Sequence, residues 1–288
     1  MGSQINLTEL SPAYWRAEFD NPPINLIDPD TIDELSNLIA RLEHDMDVRV
    51  ILFESRNPDF FLAHYDVLAD KARTAAMKPG PTGMHPWLDC LVRLARAPVV
   101  SIASIRGRAR GAGSEFALAC DIRFASAEKA VLGQFEVGIG AVPGGNPMAR
   151  LAQLMGRGRA LEVVLGADDF PGLLAERYGY VNRALPDAEL DGFVDGFARR
   201  IAGFDKHALV EAKHFVDQAS LPDDSIFPPA LAQFFRSVAR PGTRERTARL
   251  VKRGLQQLSD VEIDLGREVA TLSAETSDRP AREAPVRP

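Results

Sequence analysis

The sequence has little of what marks several protein classes. Its two cysteines in 288 residues, Cys90 and Cys120, have neither the paired spacing of a zinc site nor that of a redox pair. Both lie in apolar stretches and are expected to be buried, unreactive thiols. No run approaches the roughly 20 apolar residues of a membrane span, and MGSQINLTEL at the start lacks the basic-then-apolar pattern of a secretory leader. A cytoplasmic protein without membrane contact is the expectation. A net charge of −6 with no basic run argues against nucleic acid as a partner. His44, His85, His207 and His214 show no ligand spacing with acidic neighbours, so no metal is expected. No short repeat is visible. What is present is a globular composition, 45% hydrophobic and 26% charged, with chain enough for one large domain or a domain with an appendage.

YWRAEF at 14–19 alternates as a strand does, and the NPPINLI that follows holds too much proline to continue one. Asp28 can cap a helix with Pro29 in its first position, and Ile32, Leu35, Leu38, Ile39 and Leu42 recur at helical spacing as far as about His44. VRVILF (48–53) reads as a buried strand, SRNPD as a turn and FFLAHYD as a loop. After a Gly/Pro-rich connector at 78–86, Trp87 to Arg96 reads as an amphipathic helix and PVVSIAS (98–104) as a second buried strand. A glycine-rich turn, RGRARGAG, precedes an apolar helix to about Cys120 and two short strands, IRFAS and KAVLG.

From Pro147 onward helices dominate, with periodic apolar residues in 148–155, 158–165, 188–203 and 206–218. AETSDRPAREAPVRP has almost nothing to bury and reads as a disordered tail. Strand–helix units ahead of a helical region imply an α/β core (1–200), a C-terminal helical region (201–272) and a tail (273–288).

The segment with most chemical content is ARGAGSEFALACD (109–121). Gly111, Ala112 and Gly113 let a ligand approach the backbone, and the following helix aims free N–H groups and the positive end of its dipole at that point. A developing oxyanion fits there; so does plain close packing of strand on helix. The spacing is not that of a dinucleotide-binding turn. Glu115 sits near the helix start, either as a carboxylate complementing the dipole or as a general acid/base.

The run PVVSIASIRGRARGAGSEFALACDIRFAS (98–126) resembles the signature of the crotonase superfamily, the enoyl-CoA hydratase/isomerase family. AEFDNPPINLIDPDTIDEL and FFLAHYD upstream, and LGQFEVGIGAVPGG (132–145) and YVNRALPDAEL downstream, extend the resemblance in one order from residue 13 to about 220. The resemblance implies a spiral of strand–strand–helix units with C-terminal helices that build trimers or dimers of trimers. It also implies an acyl-CoA thioester as substrate and no separate cofactor. By matched position, Tyr65 and Ala112 give backbone N–H donors to an oxyanion hole, Glu136 is the principal general acid/base, and Glu115 holds the water and shares in the proton transfer. Phe61, Ala63, His64, Asp66, Gly111, Gly113 and Phe135 flank these positions as substrate-binding candidates.

The preferred reaction is hydration of a trans-2-enoyl-CoA to a 3-hydroxyacyl-CoA, as a step of fatty acid metabolism. Another reaction through the same enolate, isomerisation, decarboxylation or hydrolysis, is the first alternative, and a non-catalytic acyl-CoA-binding or assembly subunit the second. His64 stands where the family has glycine, Phe135 where it commonly has proline, and NPMARL replaces its common Gly-Gly-Thr-x-Arg-Leu. The His64 ring is read as a loop histidine bonded to nearby backbone, with a proton-transfer role as the rival.

Overall fold

The computed structural model describes residues 2–277. It opens with an antiparallel hairpin, β1 (Ile5–Ser11) and β2 (Tyr14–Phe19). Helix α1 (Pro29–His44) follows, and the Asp28 carboxylate accepts from Thr31 N–H at 2.9 Å, so the cap and the proline start act as the sequence indicates.

The next elements repeat. Strands β3 (Val50–Ser55) and β4 (Phe60–Leu62) lead to short α2 (Lys71–Ala76) and then α3 (Pro86–Arg96). Strands β5 (Val100–Ile105) and β6 (Arg108–Arg110) lead to α4 (Ala112–Ala119), and β7 (Ile122–Ser126) and β8 (Val131–Gly133) lead to α5 (Glu136–Ile139). Each unit adds one parallel strand to each of two sheets: β3, β5 and β7 to the first, β4, β6 and β8 to the second. Long α6 (Pro147–Gly166), β9 (Asp169–Pro171), α7 (Gly172–Tyr178) and β10 (Arg183–Leu185) complete them. The sheets run β1-β2-β3-β5-β7-β10 and β4-β6-β8-β9. This is the strand–strand–helix α/β fold that the sequence led us to expect.

Burial on both faces explains the continuous apolar strands. Ile51 and Phe53 of β3 face α1 and α3, whereas Val50 and Leu52 face Leu190, Val194, Ala198 and Ile201 of α8 (Asp187–Ala202). Helix α8 runs unbroken through residue 200 and packs on the larger sheet. Cys90 and Cys120 are buried, and burial pushes the Cys90 thiol up to about 12.

Beyond α9 (Lys206–Ser220), helices α10 (Phe227–Val238), α11 (Pro241–Arg253), α12 (Asp260–Ile263) and α13 (Leu265–Ser277) return to the core. Leu250, Leu255, Val261, Leu265 and Val269 bury Phe135 and Ile139, so this layer roofs α5.

Three expectations need correction. FFLAHYD is not wholly loop, because Phe60–Leu62 is a strand, and the RGRARGAG turn contains strand Arg108–Arg110. Three residues are too short to show periodicity, and their parallel neighbours lie far along the chain. Residues 273–277, read as part of a tail, belong to α13, which runs to Ser277; the rest of that reading, 278–288, lies outside the described residues.

Candidate active site

The glycine turn brings the site together. Gly111 has φ +49°, a value that disfavours a side chain, and it ends β6 so that α4 starts beside the end of β4. A Cβ on Gly113 would lie 2.0 Å from Leu62 O. Only glycine permits that approach of helix to strand. A Cβ on Gly111 would lie 2.8 Å from Glu136 Oε1 and 3.1 Å from Phe135 Cε1, so the turn borders the second glutamate.

Glu115 lies on the first turn of α4 and Glu136 is the first residue of α5; their residues are 3% and 6% exposed. Glu115 Oε2 accepts from Trp87 Nε1 and Oε1 from Gly145 N–H, each at 2.8 Å. Glu136 Oε2 is buried and meets no donor among the described residues. Burial raises both carboxyls. For Glu115 the Trp87 and Gly145 donors oppose that rise. At Glu136 only its own backbone N–H opposes the rise, and burial with the neighbouring Glu115 charge carries it up to about 8. One proton held by the pair therefore resides mainly on Glu136.

Two backbone N–H groups, those of Ala112 and Tyr65, are the donor candidates. Ala112 occupies the first turn of α4, where N–H groups have no partner within the helix. Tyr65 forms a parallel bridge with Ile27, in which the bonds run from Ile27 N–H to His64 O and from Asp66 N–H to Ile27 O. That pattern turns Tyr65's own N–H away from Ile27, and among the described residues it has no backbone acceptor.

The other candidates divide. Phe135 contacts Gly111 and the His64 ring, whose centroid is 5.4 Å from its own. Phe61 belongs to the aromatic core of Phe19, Phe53 and Phe116, and Ala63 packs with Ile24 and Phe60, so neither side chain is brought to the glutamates. The Asp66 carboxylate is taken up by Leu68 N–H and Gln256. The Tyr65 hydroxyl bonds Thr74 Oγ1 at 3.0 Å, which leaves the backbone as its contribution. His64 is bonded to adjacent backbone, as expected, and also to Glu262.

Sequence reasoning missed Trp87, Gly145, Gln256 and Glu262. Only the glycines of the VPGG segment carried a local signal. Two surface clefts, of about 320 and 420 Å³, are lined by other residues, the first around Arg16, Arg106 and Asp191 and the second around Arg96, Lys213 and Asp217. The unequally bonded glutamates mark the chemistry better than either cleft, whose charged groups are largely engaged in ion pairs. Among the described residues no group of three or more His, Cys, Asp or Glu is arranged to hold a metal, and no helix is long and apolar enough to cross a membrane.

A two-sheet core of repeated strand–strand–helix units, with a buried pair of carboxylates beside a glycine turn, defines an α/β protein equipped for proton transfer. The chain belongs to the enoyl-CoA hydratase/isomerase family, whose sequence pattern matches residues 15–227. It is 32% identical over 180 residues to the short-chain-enoyl-CoA hydratase of Clostridium acetobutylicum, covering 62% of this chain and 67% of that one. With the mitochondrial methylglutaconyl-CoA hydratase of Homo sapiens it shares 34% over 161 residues, 56% of this chain and 47% of the human one. A crystal structure from Streptomyces avermitilis, of a protein assigned as an enoyl-CoA hydratase, superimposes with TM-score 0.88 at 46% identity, covering 92% of this chain and 96% of that one.

Proposed function

We propose that the protein hydrates a trans-2-enoyl-CoA to a 3-hydroxyacyl-CoA. The observation that carries the reading is the unequal bonding of two buried carboxylates: Glu115 is held by two donors, and Glu136 Oε2 by none. A site for adding water needs one ionised and one protonated group in the same desolvated space.

The thioester oxygen accepts from Tyr65 N–H and Ala112 N–H, which draws electron density from the β-carbon. Ionised Glu115 orients a water and takes its proton as the oxygen bonds to that carbon. The enolate charge develops on the thioester oxygen, where the two donors stabilise it. Glu136 delivers its proton to the α-carbon. The proton on Glu115 then passes to Glu136 and restores the starting state, so one water is added and nothing is oxidised or reduced. Redox-neutral addition of this kind calls on no electron carrier.

The test is the loss of conjugated enoyl-thioester absorbance over a chain-length series of trans-2-enoyl-CoAs. Saturable loss is expected, reduced about a hundredfold or more by Glu136→Gln. No loss with any member overturns the reading.

A specific observation favours isomerisation as the second reading. Both Glu115 oxygens already accept hydrogen bonds, which leaves Glu136 as the member of the pair with a free oxygen. Glu115→Gln separates the two, since hydration falls sharply and isomerisation survives. The proposal includes a homotrimer or dimer of trimers. Helix α9 supports it, having no buried residue and leaving Phe215 and Val216 70% and 64% exposed. A monomer mass by light scattering overturns that part.

A further inference from the structure

His64 stands next to Tyr65, and its ring spans two fixed acceptors. Nδ1 donates to Tyr65 O at 2.8 Å, and Nε2 lies 2.9 Å from Glu262 Oε1, a carboxylate 198 residues further along the chain. The side chains of His64 and Glu262 are 2% and 0% exposed. The carbonyl of Tyr65 can only accept, so Nδ1 carries a hydrogen. Glu262 Oε1 also accepts from Gln256 N–H at 2.5 Å, an arrangement suited to the ionised carboxylate. The second proton therefore lies on Nε2, and the ring is an imidazolium. Burial is the largest influence and opposes that charge, but the Glu262 carboxylate and the Tyr65 carbonyl together hold the ring above the ordinary histidine range despite burial and the nearby Arg110 charge.

The same C-terminal segment reaches both sides of the proposed oxyanion hole. Gln256 Nε2 donates to the Asp66 carboxylate, one residue beyond Tyr65. Glu262 O accepts from Arg110 Nη1 at 2.6 Å, two residues before Ala112. Arg110 N–H in turn donates to Ala63 O at 3.2 Å. Residues 256–262 thus hold the Tyr65 loop and the Gly111 turn to a common support.

The support has an electrostatic consequence. In extended backbone the N–H and C=O of one residue project to the same side. Tyr65 O therefore flanks the Tyr65 N–H, and an uncapped carbonyl there would repel a developing oxyanion. The ring of His64 caps that carbonyl and brings positive charge to the same side.

We propose that His64 is a positioning residue for the oxyanion hole, and that Glu262, supplied by the C-terminal layer, holds its ring over the Tyr65 carbonyl. The inference rests on the acyl-CoA reading above. It accounts for the presence of an imidazole where the resemblance leads one to expect glycine.

The experiment uses the full chain with 4-dimethylaminocinnamoyl-CoA, a chromophoric enoyl thioester whose absorbance moves to longer wavelength when its carbonyl is polarised. Wild type, Glu262→Gln and His64→Phe are compared for this shift and for hydration. The expected result is a clear shift with wild type, a diminished one with each folded variant, and a kcat lowered about tenfold with KM within about threefold. Glu262→Gln keeps the shape of the site and carries the test if His64→Phe does not fold. An undiminished shift and unchanged kcat in Glu262→Gln overturn the inference and leave the acyl-CoA reading standing. Absence of both binding and shift with wild type overturns the two together.

Discussion

The indole N–H of Trp87 donates to Glu115 Oε2 at 2.8 Å in a space closed to solvent. With Gly145 on the other oxygen, Glu115 has a donor on each of its oxygens, whereas Glu136 Oε2 meets none among the described residues. The division of labour proposed for the glutamates rests on this difference in hydrogen-bond donors.

Trp87→Phe removes one donor and keeps a single aromatic ring in place of the buried indole. The buried carboxylate oxygen left without a partner costs about 1–3 kcal/mol of stability. Hydration slows because Glu115 competes for the shared proton. Urea denaturation and enoyl-CoA kinetics on one preparation check both effects.

The pH dependence has a definite sign. Glu136 titrates at about 8 in the folded protein, above the ordinary carboxylate range of the unfolded chain. Between those values the folded state binds the extra proton, so stability falls as pH rises through the window, and the full cost is present above it. Melting temperatures should drop more from pH 5 to pH 9 in wild type than in Glu136→Gln. The proposed general acid loses its proton over the same range, so kcat/KM is expected to decline as pH passes about 8. A flat kcat/KM profile from pH 6 to 9.5 contradicts the assignment.

Gly111→Ala places a Cβ 2.8 Å from Glu136 Oε1 at a φ of +49°. Strain of this kind costs about 1–3 kcal/mol, and the carboxylate must move. Activity should fall about a hundredfold in a protein that still gives a native circular dichroism spectrum. Gly192→Ala, with open space around its Cα, is the control expected to change neither.

Arg110 is fully buried and pairs with both oxygens of Asp169, at 2.7 and 2.6 Å. Arg110→Met strands a partly buried carboxylate and two C-terminal carbonyls, a loss of about 3 kcal/mol or more. Asp169→Asn in the same background should recover part of it. Chemical denaturation of Arg110→Met, Asp169→Asn and the double variant measures the coupling.

Local patterns were legible. The Asp28 cap, the Pro29 start and the apolar spacing through Leu42 specify α1 from adjacent residues alone. The strand at β5, the glycine turn and Glu115 lie within one short stretch, so their relation is written locally. The strands Phe60–Leu62 and Arg108–Arg110 were not legible, because each exists by pairing with neighbours about 48 residues away. Nor could the sequence place Phe61, whose ring joins a core cluster from three other elements.

By itself the sequence determined the kinds of groups available: two glutamates, a glycine turn before an apolar helix, and a histidine beside Tyr65. Helical and strand periodicity, together with family resemblance, set their order along the chain. Tertiary structure alone decided which glutamate is held by donors and which acceptor the His64 ring finds. Those properties depend on Trp87, Gly145 and Glu262 meeting them in space, 28, 30 and 198 residues away. Charge state in a buried site is set by desolvation and by the donors that surround it, and neither exists until distant segments pack together.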